Sequence, residues 1–372
     1  MKVLHIYKDY YPVIGGIENH VRALAEAQAR RGHDVTVLVT NRGRATVRQE
    51  MNRVQVIKAG RLATVASTPL SLALPRELCS LRADVLHVHS PYPVGEAAAW
   101  LWGQRRPTVI SYHSDVVRQR RILALYAPAL RRVLRAARRI IVTSPQVAAT
   151  SPFLGPVAGK CRLVPLGIDT SRFLAVDPAQ VATLQERLGQ PLLLFVGRLR
   201  YYKGLQYLLR ALVDLPGVHL AVAGTGPMGA EWKGLAGSLG LADRVTWLGD
   251  VADDDLPACY AAADLLVLPA CERSEAFGLV QVEAMAAGRP VVSTELGTGT
   301  SFVNQHGETG LVVPPRDPQA IAWACRDLLA DPDLRRHLGA QARRRALAEF
   351  GLERMVQRVE EVYEEASRDA DA

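Results

Sequence analysis

The strongest constraint on the fold is a rhythm. Short runs rich in β-branched residues recur along the chain, each followed by a segment long enough to carry a crossover helix. In the first half the runs are KVLHIY, DVTVLVT, ADVLHVHS, PTVISYHS and RRIIVTS, with a helical stretch from about Ile17 to Arg31 after the first. The rhythm restarts at PLLLFVG and continues through VHLAVAG, RVTWLGD, ADLLVLP, RPVVSTE and TGLVVPP. Parallel neighbours need right-handed crossovers, and those cover both faces of the sheet. The expected fold class is therefore α/β, with two Rossmann-like, doubly wound parallel-sheet domains facing a cleft that lies beyond the carboxyl ends of their strands.

A chain of 372 residues is too long for one ordinary core and suits two. The break is expected near CRLVPLGIDTSRF, which gives domains of 1–175 and 176–351. Beyond them a helix over about 352–366 offers Met355, Val356, Val359, Val362 and Tyr363 for burial. Five cysteines, widely spread and without a CxxC pair, argue against a disulfide framework and against structural zinc. No run approaches the roughly 18 apolar residues that span a bilayer, so a cytoplasmic protein is expected. Net charge is uneven: residues 1–190 carry +15 and residues 191–372 carry −7. Such polarity points the first half toward an anionic surface. In particular, Arg118–Arg139 sets eight arginines around an apolar helical pattern, a composition that can lie on anionic headgroups at the inner face of the cell membrane. No nucleic-acid partner is expected.

Several loops at the ends of predicted strands carry the chemistry. Gly15 and Gly16 precede the first helix and let backbone approach a ligand closely. His113 stands just beyond the strand PTVISY, where it can bond a sugar hydroxyl or a departing phosphate. His87 and His89 share one strand face and lack a nearby third ligand, which favours packing over metal binding. Arg198 and Lys203, in FVGRLRYYKG, form a pair of cations suited to a diphosphate. In EAFGLVQVE, Glu275 precedes a helix and Glu283 lies within it, so the two suit separate parts of one ligand. Amides around Phe277, Gly278 and Leu279 stand at the positive end of that helix dipole. The pattern reads as a pocket for a nucleotide sugar.

A competing motif is AGTGPMG, which matches GxGxxG at Gly224, Gly226 and Gly229 with Asp250 at the end of the next strand. It allows an NAD-dependent oxidoreductase as an alternative, although the fingerprint normally opens a domain and this one falls in the middle. A non-catalytic sugar-nucleotide-binding scaffold is a second alternative.

In order and spacing, GGIENH, the His113 segment, GRLRYYKG, AGTGP, EAFGLVQVE and GETGLVVPP resemble glycosyltransferase family 4, whose members have the GT-B fold. The resemblance spans nearly the whole chain. It implies a retaining sugar transfer from a nucleotide diphosphate without a cofactor or an essential metal. Catalytic roles fall to His113, Arg198, Lys203 and Glu275. Arg198 and Lys203 would hold the donor pyrophosphate, Glu275 with the Phe277, Gly278 and Leu279 amides the sugar, Glu283 the ribose, and Gly226 and Val251 the base. His113 would touch the sugar, Gly16 the phosphate, and the last helix would return to the first domain. The segment ELGTGTSFVNQHGETG resembles mannosyltransferases, which points to GDP-mannose as donor and a lipid-linked or saccharide acceptor in cell-surface glycan synthesis.

Overall fold

The computed structural model describes residues 1–13, 15–65, 68–103, 106–115 and 120–371, in two compact units. Met1–Gly167 and Leu352–Ala372 form one unit, and Ile168–Gly351 forms the other. The divide thus falls at Gly167, earlier than residue 175. Ile168 bridges to Gly351 and its amide donates to the Phe350 carbonyl at 2.9 Å, which ties the segment after Gly167 to the second unit.

The first unit is built on β1 (Lys2–Ile6), β2 (Asp34–Thr40), β3 (Val47–Met51), β4 (Val54–Ala59), β7 (Val85–Ser90), β8 (Thr108–Tyr112), β9 (Arg139–Val142) and β10 (Cys161–Leu163), with a small hairpin of β5 (Ala63–Val65) and β6 (Thr68–Leu70). The order across the large sheet is β10-β9-β8-β7-β1-β2-β4-β3, parallel except where β3 runs antiparallel on the edge. Central strands are covered on both faces: all six residues of β7 are buried. The β3–β4 hairpin was not anticipated. It turns on Asn52 and Arg53, both at positive φ, and β3 is largely exposed and polar, so neither a glycine turn nor apolar alternation announces it.

The second unit has a wholly parallel six-stranded sheet, ordered β13-β12-β11-β14-β15-β16. Its strands are β11 (Leu192–Val196), β12 (His219–Ala223), β13 (Val245–Gly249), β14 (Leu265–Leu268), β15 (Val291–Thr294) and β16 (Gly310–Val313), one for each apolar run. The order reverses direction at β11 and β14. Loops leaving those two strands therefore lie side by side at the carboxyl edge, the usual ligand position in open sheets.

The terminal helix, Leu352–Asp371, packs on the first unit. Met355, Val356, Val359, Val362 and Tyr363 are buried with Val3, Leu24, Val85, Val109 and Ile141. Burying each such side chain contributes about 1.5–3 kcal/mol. Its polar edge is fastened by ion pairs of Glu360 with Arg31 and of Glu365 with Arg139 and Arg162.

A polar seam crosses the core of this unit. Register places His5 of β1 level with His87 of β7, and His89 follows two residues on. His5 Nε2 lies 2.8 Å from Gln28 Oε1, His5 Nδ1 lies 3.1 Å from His89 Nε2, and His89 Nδ1 lies 3.1 Å from His113 Nε2. Gln28 Nε2 donates to the Tyr363 hydroxyl at 3.2 Å, and that hydroxyl meets His87 Nδ1 at 2.6 Å. His20 stands edge-on to His113, with ring centroids 5.1 Å apart. All five imidazoles are buried. Burial is the main cause holding each below the ordinary histidine range: His5 at about 4, His113 at about 3, and His20, His87 and His89 well down.

This seam makes the fold acid-sensitive. Between pH 6.5 and about 4 the unfolded chain binds protons that buried His5 refuses, and the same holds lower still for His113. Burial raises two carboxyls, Glu96 and Glu283, to about 7, and those act in the opposite sense as pH falls from 7 toward 4.5. Five imidazoles outweigh two carboxyls. The denaturant midpoint, measured from about pH 7.5 down to about 4.5, should hold above pH 6.5 and fall below it. A flat or rising midpoint on acidification would contradict the account.

Candidate active site

The predicted residues of the second unit stand on the four loops that follow β11, β12, β13 and β14, with Glu283 in the helix after the last. The loop after β11 carries Arg198 and Lys203; it is fixed by Gly204, which sits at φ +69 as the cap of the helix Leu205–Val213. A β-carbon at Gly204 would come within 2.0 Å of the Pro269 carbonyl oxygen, so only glycine lets this loop lie against the loop after β14. The Cys271 amide donates to the Tyr202 carbonyl at 2.8 Å and sews the two together.

Lys203 and Glu275 meet across that seam, Nζ to Oε2, at 2.7 Å. They are 9% and 7% exposed. Burial works to lower the Lys203 ammonium, but attraction from Glu275, helped by its hydrogen bond, leaves it above the ordinary lysine range. The cation is thus permanent. Gly197 lies under it, with a β-carbon there 3.3 Å from Nζ. Arg198 differs from Lys203: it is exposed and, among the described residues, has no ion-pair partner. It is the cation free to meet an incoming anion.

Glu275 leads into the helix Leu279–Ala286, capped by Gly278 in the left-handed region at φ +77. A side chain on Gly278 would strike Gln281 and Leu268. The turn leaves the first amides of the helix without helical partners. The Phe277 ring is buried against Phe350, 5.9 Å between centroids, so only its backbone is available to a ligand. Thr298 Oγ1 donates to the Glu275 carbonyl at 2.8 Å, and the Gly299 amide to the Ala276 carbonyl at 2.7 Å. These two supports were missed in the sequence, where the small polar run GTGTS was their only signal.

Glu283 lies about one turn into the helix, which begins at Leu279. The Tyr260 hydroxyl donates to its half-buried carboxylate. Tyr260 was also missed. Val251 is half-buried on the loop after β13, one residue past Asp250. Asp250 accepts from Thr225 Oγ1 at 3.1 Å.

That contact bears on the dinucleotide alternative. A β-carbon at Gly226 would fall 2.5 Å from the Leu199 carbonyl oxygen, and one at Gly224 would fall 2.1 Å from that of Gly197. The Leu199 amide donates to the Thr225 carbonyl at 2.9 Å, and the Met228 amide to the Leu199 carbonyl at 3.0 Å. These glycines let two loops of the sheet touch. The close approach that a GxGxxG motif offers to a pyrophosphate is already occupied by protein backbone.

In the first unit, Gly15 is extended and caps the helix Gly16–Arg30. A β-carbon at Gly15 would meet Glu18 at 2.2 Å, whereas one at Gly16 would have nothing within 4 Å. Gly16 is the open position. His113 follows β8, its amide donating to the Ser90 carbonyl at 3.1 Å. The nitrogens of His5, His87 and His89, and of His20, His89 and His113, lie within 4.8 Å of one another, close enough to share a metal ion. Hydrogen bonds already engage both nitrogens of His5, His87 and His89. The arginine stretch Arg118–Arg139 begins among residues 116–119, outside the described residues. From Arg120 to Ala136 it is helical.

Comparison with known proteins gives the family. Residues 14–172 match the family model "Glycosyltransferase Family 4", and residues 177–345 match "Glycosyl transferases group 1". D-rhamnosyltransferase WbpZ of Pseudomonas aeruginosa is 38% identical, covering 93% of this chain and 92% of the relative. O-antigen chain mannosyltransferase C of Escherichia coli is 34% identical, covering 98% of each. Among solved structures, sucrose-phosphate synthase from Thermosynechococcus elongatus superposes with a TM-score of 0.83 at 27% identity over 98% of both chains. With both halves matched in order, the chain belongs to glycosyltransferase family 4 and is a retaining glycosyltransferase of the GT-B fold.

Proposed function

We propose that this enzyme moves mannose from GDP-mannose to a lipid-linked or saccharide acceptor in cell-surface glycan synthesis, without a cofactor or metal. The observation that carries the site assignment is the buried Lys203–Glu275 pair beside a glycine-capped helix N-terminus and an exposed Arg198 that has no ion pair among the described residues. The mannose assignment is supported by the mannosyltransferase relative and the polysaccharide setting by its O-antigen name. The other close relative is a rhamnosyltransferase, so the hexose is the part that experiment must decide.

In the proposed reaction the bond from the anomeric carbon to the leaving diphosphate oxygen breaks as the acceptor oxygen bonds from the same face. The acceptor proton leaves on the diphosphate. Arg198, Lys203 and the amides of Gly278 and Leu279 oppose the charge growing on that leaving group, where fixed dipoles and cations need no reorganisation. Glu275 orients the sugar hydroxyls and, through its ion pair, holds Lys203 in place. In the second unit Glu283 takes the ribose, and Gly226 and Val251 border the base; in the first, His113 bonds a sugar hydroxyl and Gly16 approaches a phosphate.

Membrane association has its own support. Trp100, Leu101 and Trp102 are 44%, 55% and 43% exposed at the end of the helix Pro93–Trp102, which packs on Arg120–Ala136. Arg131, Arg132 and Arg135 are exposed on the latter. Aromatic rings with arginines suit an anionic interface, at about 1 kcal/mol per nearby charge. Flotation with anionic vesicles should carry the protein up and lose it when Trp100 and Trp102 become serine. Equal flotation of the variant would remove this surface from the proposal.

Arg198→Ala should lower turnover at saturating donor about 100-fold, the scale of one lost oxyanion donor. Undiminished turnover would take Arg198 out of the mechanism. Hydrolysis rates and thermal shifts with GDP-mannose, UDP-glucose and UDP-N-acetylglucosamine would identify the donor, since a ligand at 100 times its dissociation constant adds about 2.7 kcal/mol. A clear preference for a uridine donor would overturn the GDP-mannose assignment.

A further inference from the structure

His113 is the last member of a hydrogen-bonded chain whose proton order has only two solutions. The chain runs from Gln28 through His5 and His89 to His113, every link between 2.8 and 3.1 Å. With the rings neutral, each imidazole carries one proton and donates in one direction only. In the first solution Gln28 Oε1 accepts from His5 Nε2–H. His5 Nδ1 then accepts from His89 Nε2–H, His89 Nδ1 accepts from His113 Nε2–H, and His113 Nδ1 is left as a bare lone pair. In the second the Gln28 amide is turned over, every proton moves to the other ring nitrogen, and His113 is left with an Nδ1–H.

The His113 end decides between them. His113 Nδ1 is buried and has no partner among the described residues. His20, although edge-on at 5.1 Å, makes no hydrogen bond to it. A buried lone pair without a donor is tolerated better than a buried N–H without an acceptor, which native structures almost never leave unpaired. The other end is indifferent. Tyr363 can donate to His87 Nδ1 while accepting from Gln28 Nε2, or the reverse, and Ser111 adapts by rotating its hydroxyl. The first solution is therefore preferred, and Gln28 is the group whose two faces distinguish it.

We propose that Gln28 fixes the tautomer of His113 through His5 and His89, so that His113 offers an Nδ1 lone pair and accepts a hydrogen bond from a hydroxyl of the transferred sugar. Gln28 is then a positioning residue that never meets the substrate. The sugar contact rests on the proposed role of His113, whereas the relay rests on the seam alone.

Long-range proton–nitrogen NMR of the full-length protein, with ¹⁵N-labelled histidine, reads the tautomer directly. The wild type should show His113 protonated at Nε2 and bare at Nδ1. Gln28→Met removes the polarising amide, and His5→Phe breaks the next link while keeping a ring in the stack. Both should give a mixture of the two tautomers at His113, and kcat/KM should fall about tenfold. A wild-type His113 protonated at Nδ1, or an unchanged pattern in both variants, would overturn the relay; the wild-type measurement stands even where a variant does not fold. Full activity in His113→Ala, alongside a tautomer that responds to Gln28, would overturn the sugar contact and leave the relay intact.

Discussion

The ion pair between Lys203 and Glu275 is the contact on which the second unit's chemistry depends. Its partners come from different crossovers, after β11 and after β14, the neighbouring strands where the sheet changes direction. Removing either partner would leave a buried charge without compensation, a far larger penalty than losing a surface pair. The glycines around it follow from that closeness. Gly204 lets the two loops touch, Gly197 leaves room for the ammonium, and Gly278 turns the chain so that a helix begins immediately past Glu275. A fixed cation, an exposed Arg198 and the free amides of a helix start thus stand on the loops of two neighbouring strands.

The first unit solves a different problem. Its central strands are buried on both faces, yet β1 and β7 place three histidines among them. Polar groups at such depth persist only when bonded to one another. Gln28, Ser111 and Tyr363 complete that bonding, and Tyr363 arrives from a helix 276 residues beyond His87 in the chain. The terminal helix thus closes both the apolar packing and the hydrogen-bond chain of the unit it joins.

Legibility differed between the parts of the site. Arg198, Lys203, Glu275 and Gly278 were visible because each stands next to an apolar strand or at a helix start, features that show within ten residues. Tyr260, Thr298 and Gly204's contact with Pro269 were not, since each acts on a residue in another crossover. The GxGxxG pattern misled for the same reason. A local motif records that backbone must come close to something there, and the something is the Leu199 loop. His87 and His89 could be placed on one strand face, but the partners of His89 are His5 on β1 and His113 just past β8, and those of His87 are Ser111 and Tyr363.

Periodicity and punctuation along the chain were enough for the α/β class, the doubled sheet, all six strands of the second unit and the loops that hold its charged groups, because strand burial and crossover length are properties of short segments. The β3–β4 hairpin, the divide at Gly167, the pairing of Lys203 with Glu275 and the direction of the histidine chain belong to the folded molecule. Each is set by which distant segment arrives alongside, and pairings of that kind leave no period in a linear pattern.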